Sequence, residues 1–172
     1  MTEKPPTERR LSMQSAPLPE DELDRLEVLR RGGWLDQAPK ASFDRVTASV
    51  AQLLGAPMAL VSLVDEHRQW FLARFGITAT ETPRDISFCG HVVAQGHVLR
   101  VVDTWVDPRF GGNPLVTGEP HIRAYLGAPI FGEQGQPLGT LCVLDRRVRE
   151  FSREEQKILE RCARAIEALM KG

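Results

Sequence analysis

From Ile122 to Ile130 the chain alternates without a break, setting Ile122, Ala124, Leu126, Ala128 and Ile130 against Arg123, Tyr125, Gly127 and Pro129. A period of two marks an extended strand whose two faces meet different surroundings. After Glu133-Gln134-Gly135-Gln136, a second apolar run from Leu138 to Asp145 returns, so the pair reads as a β-hairpin. Its aliphatic face calls for a layer of helices, and the face bearing Arg123 and Tyr125 suits a pocket. Few architectures satisfy both demands. An antiparallel sheet with helices on one side and something less regular on the other does so.

The rest of the chain supplies those layers. A helix is expected from about Glu20 to Arg31, with acids in its first turn, Arg30 and Arg31 in its last and Gly32-Gly33 as a stop. Leu23, Leu26 and Leu29 recur along it. A second helix, about Ser42 to Leu54, collects Phe43, Val46, Val50, Leu53 and Leu54 on one side before Gly55-Ala56-Pro57. Strands follow at Met58 to Val64, apolar on both faces and therefore central, and at Gln69 to Phe75. Ser87 is a suitable N-cap for a short helix ending near Gly96, and His97 to Asp103 reads as a strand. Ser152-Arg153-Glu154-Glu155 matches a capping box and opens a last helix. That helix carries Ile158, Leu159, Cys162, Ala163, Ile166, Leu169 and Met170, a stripe wide enough for the sheet and for a partner helix. Residues 1 to 17, rich in proline and charge and poor in bulky apolar groups, read as a disordered tail, and residues 18 to 172 as one domain.

Between these elements, residues 104 to 121 form a long segment holding Pro108, Gly111, Gly112, Pro114, Gly118 and Pro120. A connection of that length inside a compact domain tends to carry function. Polar and aromatic side chains gather on it and beside it: Phe88, Cys89 and His91 on the Ser87 helix, Asp103, Trp105, Arg109, Phe110 and Asn113 along the loop, then Arg123, Tyr125 and Cys142 on the hairpin. The expected ligand site lies between the Arg123/Tyr125 face, the helix N-terminus and the loop. Two arginines, free helix amides and three aromatic rings there favour an anionic, partly aromatic small molecule.

Bulk composition limits the alternatives. A net charge of −1 gives no electrostatic basis for holding nucleic acid or an anionic membrane. The three cysteines form no CxxC pair and fit reduced thiols in a cytoplasmic protein better than a disulfide framework. No apolar run approaches the length of a spanning helix, and Arg9-Arg10-Leu11 lacks the apolar stretch of an export signal.

The order of elements, together with Phe43-Asp44-Arg45, Ala59 to Asp65, Arg68-Gln69-Trp70-Phe71, Glu81-Thr82-Pro83-Arg84, Ser87-Phe88-Cys89, Asp107-Pro108-Arg109-Phe110, Asn113-Pro114-Leu115-Val116 and Gly139-Thr140-Leu141-Cys142, resembles the GAF domain family from about residue 20 to 170. The similarity is to the sensor type, found at the N-terminal end of bacterial sensor kinases and cyclases. It implies an α+β sandwich with a largely antiparallel sheet of five or six strands. On one face lie the N- and C-terminal helices, on the other a pocket covered by loop and helix. It also implies a small-molecule sensor that signals through paired terminal helices, to a separate output protein such as a kinase or cyclase or across a homodimer. Leu23, Leu26, Leu29, Ile158, Cys162, Ile166 and Leu169 are the expected dimer residues. The family does not fix the ligand or cofactor, which stays unknown at this stage.

Other readings of the central residues compete. Cys89 at the start of a helix and two residues from His91 could be a reactive thiolate. The free methionine-(R)-sulfoxide reductases are GAF-like and share a Cys-Gly at the pocket helix, but they need a catalytic cysteine in the following loop, and none lies between Cys89 and Cys142. Cys89, His91, His121 and Cys142 have metal-binding side chains but not the close spacing of a zinc site. Phytochrome-type domains attach a bilin through Cys followed directly by His, and Gly90 intervenes here. The plainest alternative is that the polar set ties the loop to the sheet by buried hydrogen bonds. The expectation carried forward is a non-enzymatic regulatory module. A sulfoxide reductase and a dimerising module without a ligand are the alternatives.

Overall fold

The computed structural model describes residues 12–171. Five helices and six strands follow in the order α1 (Glu22–Gly32), α2 (Ala41–Leu54), β1 (Met58–Val64), β2 (Arg68–Phe75), β3 (Glu81–Pro83), α3 (Phe88–Gln95), β4 (Leu99–Val101), α4 (Pro114–Thr117), β5 (Ala124–Phe131), β6 (Pro137–Asp145) and α5 (Arg153–Lys171). The strands make one sheet in the order β3-β2-β1-β6-β5-β4, every pair antiparallel. β1 and β6 sit at its centre, which explains why Met58 to Val64 is apolar but for Ser62 and wholly buried.

Alternation sorts the side chains into two cores. On one face Ala59, Val61 and Leu63 of β1, Leu126, Ala128 and Ile130 of β5, and Leu141 and Val143 of β6 pack under α1, α2 and α5. On the other, Leu60, Phe71, Tyr125, Cys142 and Leu144 pack under α3 and the long loop. Helix ends follow local chemistry. Gly33, Gly55 and Gly96 close α1, α2 and α3 in the left-handed region. At the start of α5 the Ser152 N–H donates to Glu155 Oε1 (2.9 Å) and the Glu155 N–H to Ser152 Oγ (3.1 Å), the reciprocal capping box.

Several expectations change. Ile122 precedes β5 and turns into the pocket-side core instead of joining Ala124 and Leu126, because His121 at φ 59° swings the chain before the strand begins. Leu53 is 67% exposed, while Thr47 and Ala51 share the buried face with Phe43, Val50 and Leu54, as a 3.6-residue period dictates. Of the dimer residues expected from sequence, Leu26, Leu29 and Ile166 are buried inside this chain's own core and have no surface left for a partner. Ile158 and Cys162 are half-buried at its margin, and Leu23 and Leu169 face outward. The tail reading also divides. Residues 1–11 lie outside the described residues, but Ser12 to Ser15 are tied down. Ser12 Oγ donates to the Pro108 carbonyl (2.8 Å), the Gly112 N–H to the Ser12 carbonyl (2.7 Å), the Gln14 N–H to the Arg109 carbonyl (3.0 Å), and Ser15 Oγ to the Asp85 carbonyl (2.9 Å). Among the described residues no helix is long and apolar enough to cross a membrane.

Candidate functional site

A cavity of about 410 Å³ opens on the pocket face of the sheet. That falls within the usual range for small-molecule sites. Its walls are mainly apolar, from Leu60, Phe71, Ile77, Phe88, Ile122 and Leu144. Arg146 and Glu119, both exposed, are the charged residues that line it, at the mouth.

The buried floor is polar but holds no carboxylate, guanidinium or ammonium group, and it crosses the sheet strand by strand. Gln69 of β2 donates from Nε2 to Thr82 Oγ1 of β3 (2.6 Å) and accepts at Oε1 from Ser62 Oγ of β1 (3.0 Å). Ser62 stands directly opposite Thr140 of β6. Thr140 Oγ1 donates to Cys89 Sγ at the start of α3 (3.0 Å), and Cys89 Sγ lies 3.3 Å from the Tyr125 hydroxyl of β5. Ser62, Gln69 and Thr140 are each at most 4% exposed. An unpaired polar group at such depth would cost on the order of 1–3 kcal/mol, so their mutual pairing is what lets this seam sit beneath an apolar chamber.

Two small features place its members. Ser87 Oγ accepts from the Gly90 N–H (2.7 Å), fixing the first turn of α3 and pointing Cys89 at the sheet. Gly127 stands opposite Cys142, and a side chain there would collide with the Tyr125 ring. The phenol therefore lies along its own strand with its hydroxyl at Cys89. Cys142 faces the same cavity as Cys89, two residues from Thr140, and the two thiols are near enough to perturb each other.

Electrostatics separate the two thiols. Burial opposes charge on Cys89, but hydrogen bonds from Cys142, Thr140, Tyr125 and Ser62 outweigh it and draw the thiol down to about 7. Cys142 is pushed up by burial and by the neighbouring Cys89, so it stays a thiol, and burial likewise pushes up the Tyr125 phenol.

Of the residues singled out from sequence, Phe88, Cys89, Tyr125 and Cys142 line the cavity. The others hold the loop. Arg109 forks onto Asp107, Nε to Oδ1 (3.0 Å) and Nη2 to Oδ2 (2.8 Å). Arg123 pairs with Asp103 (3.1 Å) and its guanidinium lies 3.4 Å from the Trp105 ring centre. His91 Nε2 meets the Gln14 carbonyl (3.0 Å), and its ring stands edge-on to Phe110. Phe110, wholly buried, packs edge-on against Phe88 with centroids 4.2 Å apart. Asn113 Oδ1 caps α4 while Nδ2 donates to the Ile86 carbonyl (2.8 Å). The anion-binding arginines of the sequence reading are thus committed to loop carboxylates, and the chamber they were to serve is apolar. His121 lies in the exposed loop beside Glu119, away from Cys89 and Cys142.

Sequence reasoning missed Ser62, Gln69, Thr82 and Thr140. Their signal was present, since a Ser, a Gln and a Thr interrupt strands that are otherwise apolar on the same face.

The family model described as GAF domain matches residues 39–170, over half of the chain. The chain belongs to the GAF domain family. Over 157 residues this GAF domain is 39% identical to a cyclic di-GMP phosphodiesterase of Pseudomonas aeruginosa, covering 91% of this chain but 27% of that protein. The chain thus spans about a quarter of the length of the curated relative it matches. Among solved structures, the GAF domain of an Acinetobacter phosphoenolpyruvate-protein phosphotransferase aligns with a TM-score of 0.65 at 18% identity, covering 90% of this chain and 95% of that one. The free methionine-R-sulfoxide reductase of Neisseria meningitidis, solved with its substrate, aligns with a TM-score of 0.64 at 18% identity over 94% and 96% of the two chains. At that identity both likenesses speak for the fold alone.

Proposed function

We propose that this GAF domain is a non-enzymatic sensory module that takes a small, mainly apolar molecule into the chamber under α3. The molecule sets one uncharged hydrogen-bonding group on the Gln69–Cys89 seam, and any charge it carries lies at the mouth, beside Arg146. The observation that carries this reading is the chamber itself, apolar in its walls and free of carboxylate and guanidinium groups along a hydrogen-bonded polar floor. A charged group buried there would meet no counter-ion, which weighs against the anionic ligand expected from sequence.

Occupancy has a path to the helical face. Ser87 and α3 follow directly on Arg84, whose guanidinium is bound by Glu22 in the first turn of α1. A shift of the pocket helix therefore pulls on the terminal helix. The likeness to a much longer phosphodiesterase supports a role as the input to an output unit of that kind, in a cytoplasmic protein, with α1 and α5 as the elements that pass the signal on or pair across a homodimer.

Native mass spectrometry of the protein purified from its own host tests this. A retained small molecule is expected, lost in Gly127→Val, where the new side chain drives Tyr125 into the chamber. Protein that is empty from the host, and whose melting temperature no member of a diverse apolar library moves, would leave the interaction-module reading in its place.

A further inference from the structure

Two of the three cysteines lie side by side on the chamber floor, and nothing in ligand binding requires both to be thiols. Cys89 comes from the first turn of α3 and Cys142 from the central strand β6, and both face the same cavity. Cys89 Sγ accepts from Thr140 Oγ1 at 3.0 Å and has the Tyr125 hydroxyl at 3.3 Å, an arrangement of donors that stabilises a thiolate. No carboxylate lines the floor to oppose it, since Glu119 is at the mouth. Cys142 sits beside it, and burial together with the neighbouring Cys89 keeps it protonated. Cys162 is on the far side of the sheet, at the margin of the helical core.

We propose that Cys89 and Cys142 form a peroxide-reactive dithiol, in which a hydroperoxide entering the chamber oxidises Cys89 and Cys142 closes the product to an intramolecular disulfide. The Cys89 thiolate attacks the terminal peroxide oxygen. The O–O bond breaks, Cys89 becomes a sulfenic acid, and the departing alkoxide takes up the proton that the thiol released. Cys142 sulfur then attacks the sulfenic sulfur and a disulfide forms. The sulfenic oxygen leaves as water, carrying its own hydrogen and the Cys142 proton. Two electrons pass from the sulfur pair to the peroxide, which ends as an alcohol. A low-molecular-weight dithiol reverses the bond by exchange. This chemistry goes beyond the ligand reading, because it needs a chamber open to a small oxidant and no resident ligand. It is also not sulfoxide reduction, since the oxidant is consumed by a pair that includes a strand cysteine in place of the loop cysteine.

The full chain, reduced and freed of reductant, is treated with cumene hydroperoxide, denatured, alkylated and mapped by peptide mass spectrometry. Expected are a linked Cys89/Cys142 peptide, loss of the mass of two hydrogens, full alkylation of Cys162, and recovery with dithiothreitol. The rate should fall about tenfold from pH 8 to pH 6, following the thiolate. In Cys142→Ala the sulfenic acid should persist and be trapped at Cys89 by dimedone, and in Cys89→Ala no adduct should form at Cys142. The wild-type map stands even if either variant fails to fold. Full alkylation of Cys89 and Cys142 after peroxide, a bond to Cys162, or Cys142 oxidised equally fast in Cys89→Ala would each overturn the proposal.

Discussion

Glu22→Gln should destabilise the domain at neutral pH and become harmless in strong acid. Glu22 accepts from Arg25 Nε (2.9 Å) and Nη2 (3.0 Å) and from Arg84 Nη2 (3.2 Å), while the Arg25 side chain is 0% exposed. Burial would raise this carboxyl, but the two guanidiniums overcome it and hold the group at about 2 instead of 4.5. Because the folded value is depressed, the stability it confers is complete above 4.5 and is lost as pH falls toward 2. At about 1.4 kcal/mol per unit the shift is worth at most about 3 kcal/mol, and screening at the solvent edge leaves about 1–2. Replacing the acid by an amide costs more at pH 7, about 3 kcal/mol, since it also strands a buried Arg25. Guanidinium unfolding of wild type and variant at pH 7, 4.5 and 2 reads the difference directly. Asp107 and Asp145, also depressed by neighbouring arginines, titrate alike in both proteins and cancel. A gap that stays constant across that range, or one below about 0.5 kcal/mol at pH 7, would refute the reasoning.

Phe110→Ala should cost about 3–5 kcal/mol, because Phe110 is wholly buried between Phe88 and His91; its denaturation midpoint measures this. Burial keeps the His91 ring below its ordinary value despite the Gln14 carbonyl, so the folded form resists protonation. Wild type should therefore lose stability as pH falls below about 6.5 while His91→Asn does not share that loss, as unfolding curves between pH 7.5 and 5 would show. Leu23→Glu with Leu169→Glu, both at exposed positions, should leave the far-UV circular dichroism spectrum unchanged yet convert a homodimer to monomer in sedimentation, and a wild type already monomeric at tens of micromolar would dismiss the dimer.

Where local chemistry determines structure, sequence and structure agree closely. Ser87 and Ser152 cap the helices expected of them, and the β5–β6 hairpin turns at Gly135, whose φ is 85°. The site was harder to read because charge does not say where it is spent. Arg109 and Arg123 have the residue type for an anion site, but Asp107 and Asp103, two and twenty residues away, claim them. Sequence alone does not give the side that Cys142 takes, because hairpin register depends on pairings such as Gly127 with Cys142, which no periodicity supplies. β3, three residues long, exists through its pairing with β2 and had no pattern of its own.

The stitching of Ser12 and Gln14 onto the long loop, and of Ser15 onto Asp85, means that the folding unit begins well before the family match at residue 39. Leu26 and Leu29 already belong to the helical core, and Arg25 and Glu22 anchor Arg84 just ahead of the pocket helix. A fragment cut at the family boundary would bare one core and loosen the cover of the other in a single excision. Among the described residues, those ahead of α2 touch both sides of the sheet before the sheet itself begins.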